Sequence, residues 1–315
     1  MNFTMSDQLK WILTVVFGFL TLASVIGIIL KYSLTNETQK SVVANLNTRI
    51  KAWWMMCIIF SLVLLIGPWG SVALFTLTSF LALREYITLT PTKPADHRTL
   101  FWAFFIILPL HYYFVGSQWY GMFSIFIPVY AFIFLPMRSV VRGDSDRFLE
   151  RTAKIQWGLM VCVYCLSHAP ALLTLNIPGY SGRNAQLLFF LVLVVEMSDV
   201  FQYIFGKIFG RRKVAPQISP NKTLEGFVGG ILAATCLGTG LWWLTPFSIV
   251  EAAGLSFLIA LMGFYGGLTM SAIKRDRGVK DFGSSIQGHG GILDRIDSLC
   301  FSAPIFFHIV RYFYI

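Results

Sequence analysis

Residues 185–210 read AQLLFFLVLVVEMSDVFQYIFGKIFG, and the fold is decided there. From Leu187 to Val195 every side chain is apolar without alternation, which suits a helix inside hydrocarbon and not a barrel strand with one wet face. Glu196 and Asp199 then interrupt the run. They stand three residues apart and so share one face of that helix. An ionised carboxylate at mid-bilayer costs about 2.5–3.5 kcal/mol on insertion scales, so each needs a cation, a metal ion or an aqueous cavity. The run itself supplies no basic partner for them, which leaves a bound metal or a distant Lys or Arg.

Working outward, runs of the same kind recur along the chain. The 315 residues are 56% hydrophobic and 13% charged, against roughly 45–50% and about 25% in soluble domains. The expectation is an all-α, polytopic helical membrane protein with about ten transmembrane helices. They fall near residues 9–30, 52–68, 70–88, 99–115, 118–137, 155–175, 185–206, 225–245, 249–270 and 298–314. The second to fourth are closely spaced and also admit a count of nine. The first, Leu9 to Leu30, lacks an A-x-A-like cleavage site and reads as a retained anchor.

Every Lys and Arg except Lys10, Arg183 and Arg311 falls in alternate gaps or, as Arg84 does, in the last turn before one; these gaps follow the first, third, fifth, seventh and ninth runs. By the positive-inside rule these gaps are cytoplasmic and both termini lie outside. The net charge of +10 then follows from topology and anionic headgroups, and calls for no nucleic-acid partner.

The last of these gaps holds the densest chemistry: residues 271–297 read SAIKRDRGVKDFGSSIQGHGGILDRID. Basic Lys274, Arg275, Arg277, Lys280 and Arg295 alternate with Asp276, Asp281, Asp294 and Asp297, and glycines lie between. Carboxylates bind hard divalent ions, cations neutralise phosphate, and glycines let backbone N–H groups approach an anion. Composition alone fits a metal–phosphate site and a solvated mixed-charge loop equally well.

The order of residues separates the two. The pattern S-x-x-K-R-x-x-x-x-K-D-x-G, then H-G-G-x-x-D-R-x-D, is carried by Ser271, Lys274, Arg275, Lys280, Asp281, Gly283, His289, Gly290, Gly291, Asp294, Arg295 and Asp297. It resembles the signature of the phosphatidate cytidylyltransferase (CDP-diacylglycerol synthase) family, with Gln287 standing where Pro or Gly is usual. The segment from Ser198 to Gly210, followed by Ser219-Pro220-Asn221-Lys222-Thr223-Leu224-Glu225-Gly226, resembles a second block of that family. There Gln202 replaces a small residue and Asn221 a lysine. The resemblance covers about residues 46–315. Residues 1–45 therefore read as an additional N-terminal transmembrane anchor, 46–175 as a helical membrane region of low motif content, and 176–315 as the catalytic membrane region with its motif loops.

The resemblance implies transfer of a cytidylyl group from CTP to phosphatidate, giving CDP-diacylglycerol and pyrophosphate. It implies Mg2+, with a second metal ion left open, and an active site facing the cytoplasm from the bacterial inner membrane. Asp281 and Asp294 are expected as leading metal ligands, with Asp199 and Asp297 in support, and Lys280 and His289 complete the catalytic set. Lys222, Lys274, Arg275 and Arg295 are expected to hold the triphosphate and lipid phosphate, joined by Ser219, Thr223, Glu225, Ser271, Gly290 and Gly291. A homodimer rests on the resemblance alone. Two alternatives stay open: the same chemistry on another lipid phosphate, as in a divergent paralogue or ether-lipid cytidylyltransferase, and a non-enzymatic transporter or scaffold for anionic lipids.

Local signals add detail. Ser219 reads as a helix N-cap with Pro220 as the first helical residue, leaving free N–H groups toward the cytoplasm. Gly226, Gly230, Ala234 and Gly238 recur every four residues as a packing stripe, with Gly263, Gly266 and Gly267 as the expected counterpart. Arg84 and Glu85 read as a local pair, and His111 with its aromatic neighbours as an outer interface belt. Cys162, Cys165 and His168 lie inside an apolar run without a second ligand pair, which argues against a metal site.

Overall fold

The computed structural model describes residues 7–33, 37–286 and 290–315. They form ten helical segments. Helices α1 Asp7–Ser33, α2 Glu37–Ile66 and α3 Pro68–Leu89 come first. Then follow α4 Pro94–Gly116, α5 Tyr120–Val140 and α6 Phe148–Thr174. The series ends with α7 Asn184–Phe209, α8 Leu224–Gly240, α9 Ile249–Asp276 and α10 Leu293–Tyr314. Eight of the ten are long and apolar enough to cross a membrane, so the chain is a polytopic helical membrane protein. The other two are α8, which has 17 residues, and α10, which opens with Asp294, Arg295 and Asp297.

Helix α2 starts at Glu37 and not near residue 52, so a boundary at residue 45 falls within it. Its polar first half stays helical alongside α1. Asn47 donates to the Gly27 carbonyl at 3.2 Å, and the Trp54 indole to Ser24 Oγ at 3.0 Å. Helix α1 also reaches the later half of the chain, because Val16 packs against Phe189 of α7 and Leu244.

The middle helices hold a buried polar seam. His111 is fully buried, not at an interface, because the α6 hydroxyl of Ser167 meets its Nε2 at 2.8 Å. Tyr112 is likewise buried, with its hydroxyl 2.6 Å from Ser79 Oγ, whereas Tyr113 and Trp119 remain exposed as an interface belt requires. All five cysteines are free. At the basic end, Arg151 of α6 is buried and pairs with Asp96 at 3.1 Å and Asp144 at 3.3 Å, joining the start of α4 to the α5–α6 connection. The Lys93 ammonium binds Asp146 in the same network and holds its carboxyl below the usual range.

Helix α8 packs backbone to backbone on α7. A Cβ at Gly226 would lie 2.7 Å from the Gln202 carbonyl oxygen, and one at Gly230 would lie 2.7 Å from the Gln202 Cα. The small-residue stripe therefore meets α7 first, while Ala234 clusters with Ala260 of α9 and Gly238 meets Ser256 of that helix. The α9 glycines face α10 instead: Gly263 meets Ser298 and Ser302, and Gly266 meets Phe301. Between α7 and α8 the chain forms a small antiparallel ribbon, β1 Lys213–Ala215 and β2 Ser219–Thr223, with Lys213 opposite Thr223 and Ala215 opposite Ser219. Ser219 and Pro220 thus belong to a strand. The cap of α8 is Thr223, whose hydroxyl accepts from the Gly226 N–H at 3.1 Å.

Candidate active site

Two carboxylate centres sit where α7, β2, α9 and α10 meet at the basic end of the bundle. The first is built on the last turn of α9 and the first turn of α10. Basic side chains near a helix C-terminus and acidic ones near an N-terminus both suit the backbone dipole, and Lys274 and Asp294 take those places. They pair at 2.8 Å, both nearly inaccessible to solvent, and the Lys274 ammonium lies 5.3 Å from the centre of the Phe282 ring. The other oxygen of Asp294 accepts from the Phe282 N–H at 2.8 Å and the Gly291 N–H at 3.0 Å. Asp294 therefore staples both sides of the 279–292 loop to α10. Within that loop Ile286 pairs with Gly290, whose φ of +81° is a left-handed conformation that glycine adopts at little cost.

The second centre lies one turn further along α10. Ser298 Oγ donates to Asp199 Oδ2 of α7 at 2.8 Å and lies 3.5 Å from Asp297 Oδ1, while the Ser298 N–H donates to Asp297 Oδ1 at 2.8 Å. One hydroxyl thus stands between two carboxylates from different helices. Among the described residues the second oxygen of each accepts no hydrogen bond, which leaves two carboxylates on either side of one hydroxyl with open coordination. Lys222 reaches this centre from β2, its ammonium 4.7 Å from the centre of the Phe264 ring. A Cβ at Gly267 would lie 3.0 Å from that ammonium and 3.3 Å from Ser298 Oγ, so the glycine opens the space in which Lys222 and Ser298 meet.

Among the described residues no three His, Cys, Asp or Glu side chains converge as a metal cage. A magnesium ion does not require one. It keeps several waters and takes one or two carboxylates, with substrate phosphates supplying further oxygens. The Asp199–Asp297 pair fits that demand by its hard oxygen donors and open positions. Asp294 already accepts three hydrogen bonds, from the Lys274 ammonium and the Phe282 and Gly291 N–H groups, so it offers fewer open positions than that pair.

The remaining expected residues divide by what they touch. Lys280, Asp281 and Arg295 are exposed at the rim, with Asp281 against Gly290. Lys274 is buried in its ion pair with Asp294. Arg275 braces the ribbon to the end of α9, donating to the carbonyls of Ile218 at 3.2 Å and Val279 at 2.9 Å. Ser271 bonds back to Gly267 O at 2.7 Å within its own helix. Glu225 accepts the N–H groups of Arg211 and Arg212, at 2.9 and 3.2 Å, and so fixes the start of the ribbon. His289 and the departing Gln287 lie outside the described residues.

One participant escaped sequence reasoning. Glu85 of α3 does not pair with Arg84; it points into the 279–292 loop and accepts from Ser285 Oγ at 2.6 Å and from the N–H groups of Ile292 and Leu293 at 3.0 and 2.9 Å. Its only sequence signal was a carboxylate at the end of an apolar run.

Comparison with known proteins adds to this geometry. The pattern of the cytidylyltransferase family matches residues 47–313. An uncharacterized protein of Escherichia coli K12, YnbB, is 41% identical over 95% of this chain and 97% of its own length, so that similarity extends into α1. A phosphatidate cytidylyltransferase of Bacillus subtilis is 31% identical over 79% of this chain and 88% of its own. One from Staphylococcus aureus COL is 39% identical over 40% of this chain and half of its own.

Proposed function

Because the chain belongs to the cytidylyltransferase family, and is thus a membrane-embedded nucleotidyltransferase, we propose that it transfers the cytidylyl group of CTP to phosphatidate, giving CDP-diacylglycerol and pyrophosphate. The observation that carries this reading is the Asp199–Ser298–Asp297 centre beside Lys222, at the basic end of an otherwise apolar bundle. A lipid phosphate oxygen attacks the α-phosphorus of CTP; the new P–O bond forms as the bond to the bridging β-phosphate oxygen breaks, and that electron pair leaves with pyrophosphate. A phosphate monoester has a second pKa of about 6, so the nucleophile is already ionised near pH 7 and needs no general base.

Asp199 and Asp297 would hold Mg2+, which when bound supplies charge neutralisation at the phosphate oxygens. Lys222 contributes a fixed positive charge next to that pair. Lys280 and Arg295, exposed on the rim, provide the further cations that a triphosphate and a lipid phosphate together demand. Asp294 and Lys274 keep the loop that presents them in one shape. The positive-inside rule, applied to the basic gaps, supports an orientation with this end toward the cytoplasm of a bacterial inner membrane, where nucleoside triphosphates are found.

The acceptor could also be a different lipid phosphate. Asn221, exposed one residue before Lys222, lacks the charge of the usual lysine, and Gln202 fills space at the α7–α8 contact. Purified protein given labelled CTP and Mg2+, with phosphatidate and an ether-linked lipid phosphate in parallel, decides between them. Label entering the lipid with phosphatidate is the expected result. Label entering only with the other acceptor would redirect the specificity, and none with either would overturn the transferase reading.

A further inference from the structure

Helix α10 begins without a cap of its own. Its N-cap residue is Ile292, whose side chain can accept nothing, and the first N–H groups of any helix are free donors. Two of them, on Ile292 and Leu293, point at Glu85, which stands 207 and 208 residues earlier in the chain. Glu85 is 8% exposed, and a charge so buried needs donors around it. The hydroxyl of Ser285 and the positive end of the α10 dipole complete that set. The fit is close on both flanks: a Cβ at Gly283 would approach Glu85 Oε1 to 2.8 Å, and one at Gly291 would collide with the same carboxylate.

Building on the transferase reading, we infer that Glu85 is a positioning residue for the reaction: a carboxylate from α3 that caps α10 across the bundle and sets the register of Asp294 and Asp297. The path is short. Leu293, held by Glu85, precedes Asp294, which ties Gly291 and Phe282; one turn on, Asp297 shares Ser298 with Asp199. A displacement of α10 by one ångström would separate the two open carboxylates, and misplacements of that size cost about a hundredfold in rate.

The chemistry of the cap gives the test. Oε1 receives two donors and Oε2 one, so a glutamine in this place must turn its NH2 toward an N–H donor whichever way the amide faces. Aspartate keeps both acceptors on a side chain shorter by one methylene. If Glu85 only filled space, Glu85→Gln would be the milder change; if it caps α10, Glu85→Asp is milder. With protein in lipid nanodiscs, the expected order of kcat is wild type, then Asp, then Gln. The Gln variant should fall about a hundredfold while KM for CTP changes little. Hydrogen exchange at Ile292 and Leu293 should accelerate about tenfold or more as their protection is lost, and the core of α7 should keep its protection.

Ser285→Ala removes one donor and keeps the carboxylate, which serves if the Gln variant does not accumulate. It should quicken exchange at Ile292 and lower kcat severalfold. A Gln variant at least as active as the Asp variant, or unchanged exchange in both Gln and Ala variants, would overturn the assignment. Should wild-type protein show no transfer at all, the proposed function falls, and the exchange measurement still decides what Glu85 does.

Discussion

Asp294 and Asp297 stand three residues apart in one turn of α10, and their surroundings could hardly differ more. Asp294 is buried and uses both oxygens, on an ammonium and two backbone donors. Asp297 uses one oxygen for the Ser298 N–H and turns toward a second carboxylate. A carboxylate with both oxygens bonded by its own chain holds structure together, and one with an oxygen left open has more room for a ligand. The D-R-x-D order shows two acids on a helix, and only their partners show which is which.

The comparison breaks first at the open pair. Asp297→Asn or Asp199→Asn should lower turnover by about a thousandfold, the upper range for losing one electrostatic contact in a transition state, with thermal stability nearly unchanged. A folded variant retaining a tenth of the activity would move the metal site elsewhere. At the closed pair the order reverses. Asp294→Ala strands a buried lysine and should cost about 3–5 kcal/mol of stability, read from unfolding in detergent. The double variant Lys274→Met with Asp294→Leu should recover much of that stability, since a well-packed apolar pair can replace a buried ion pair. Turnover should stay low, because the loop amides of Phe282 and Gly291 lose their acceptor. Full activity in the double variant would mean that Asp294 does not shape the loop.

A subtler probe is Gly267→Ala. The added methyl would displace the Lys222 ammonium, and KM for CTP should rise about tenfold, the size of a weakened charge-assisted contact. Unchanged KM would remove Lys222 from the nucleotide site. The smallest effect belongs to deletion of residues 1–45. Those residues, α1 and the start of α2, hold no candidate ligand, so the rate per folded molecule should stay within about threefold, whereas the yield should drop because Phe189 and Leu244 lose Val16. Loss of all turnover in a folded, inserted truncation would make α1 part of the active unit.

How much of this was legible in the residues follows from the range of each interaction. The apolar runs were readable because hydrocarbon demands a continuous helix, and Asp199 stood out because a carboxylate there must be answered. Ser219-Pro220 was misread, since a serine before proline signals a helix start locally and the ribbon depends on Thr223 lying opposite Lys213. His111 looked interfacial beside Tyr113, and only the approach of Ser167 from α6 puts it inside. Glu85 was invisible for the same reason on a larger scale: its partners arrive from the far end of the chain, and beside Arg84 it resembled an ordinary surface pair.

Helix α9 is 28 residues long, about 42 Å at the usual rise, while hydrocarbon alone is about 30 Å thick and the bilayer with headgroups about 40–45 Å. A helix of that length crosses the hydrocarbon and extends into the headgroup layers, so its Lys274 end is expected near the lipid phosphates. On the proposed reading, an acceptor lipid would reach Asp199 and Asp297 by sliding sideways within its leaflet, with its tails never leaving hydrocarbon. The encounter is two-dimensional, so the rate should follow the mole fraction of acceptor in the surface and fall when inert lipid dilutes it at constant bulk concentration.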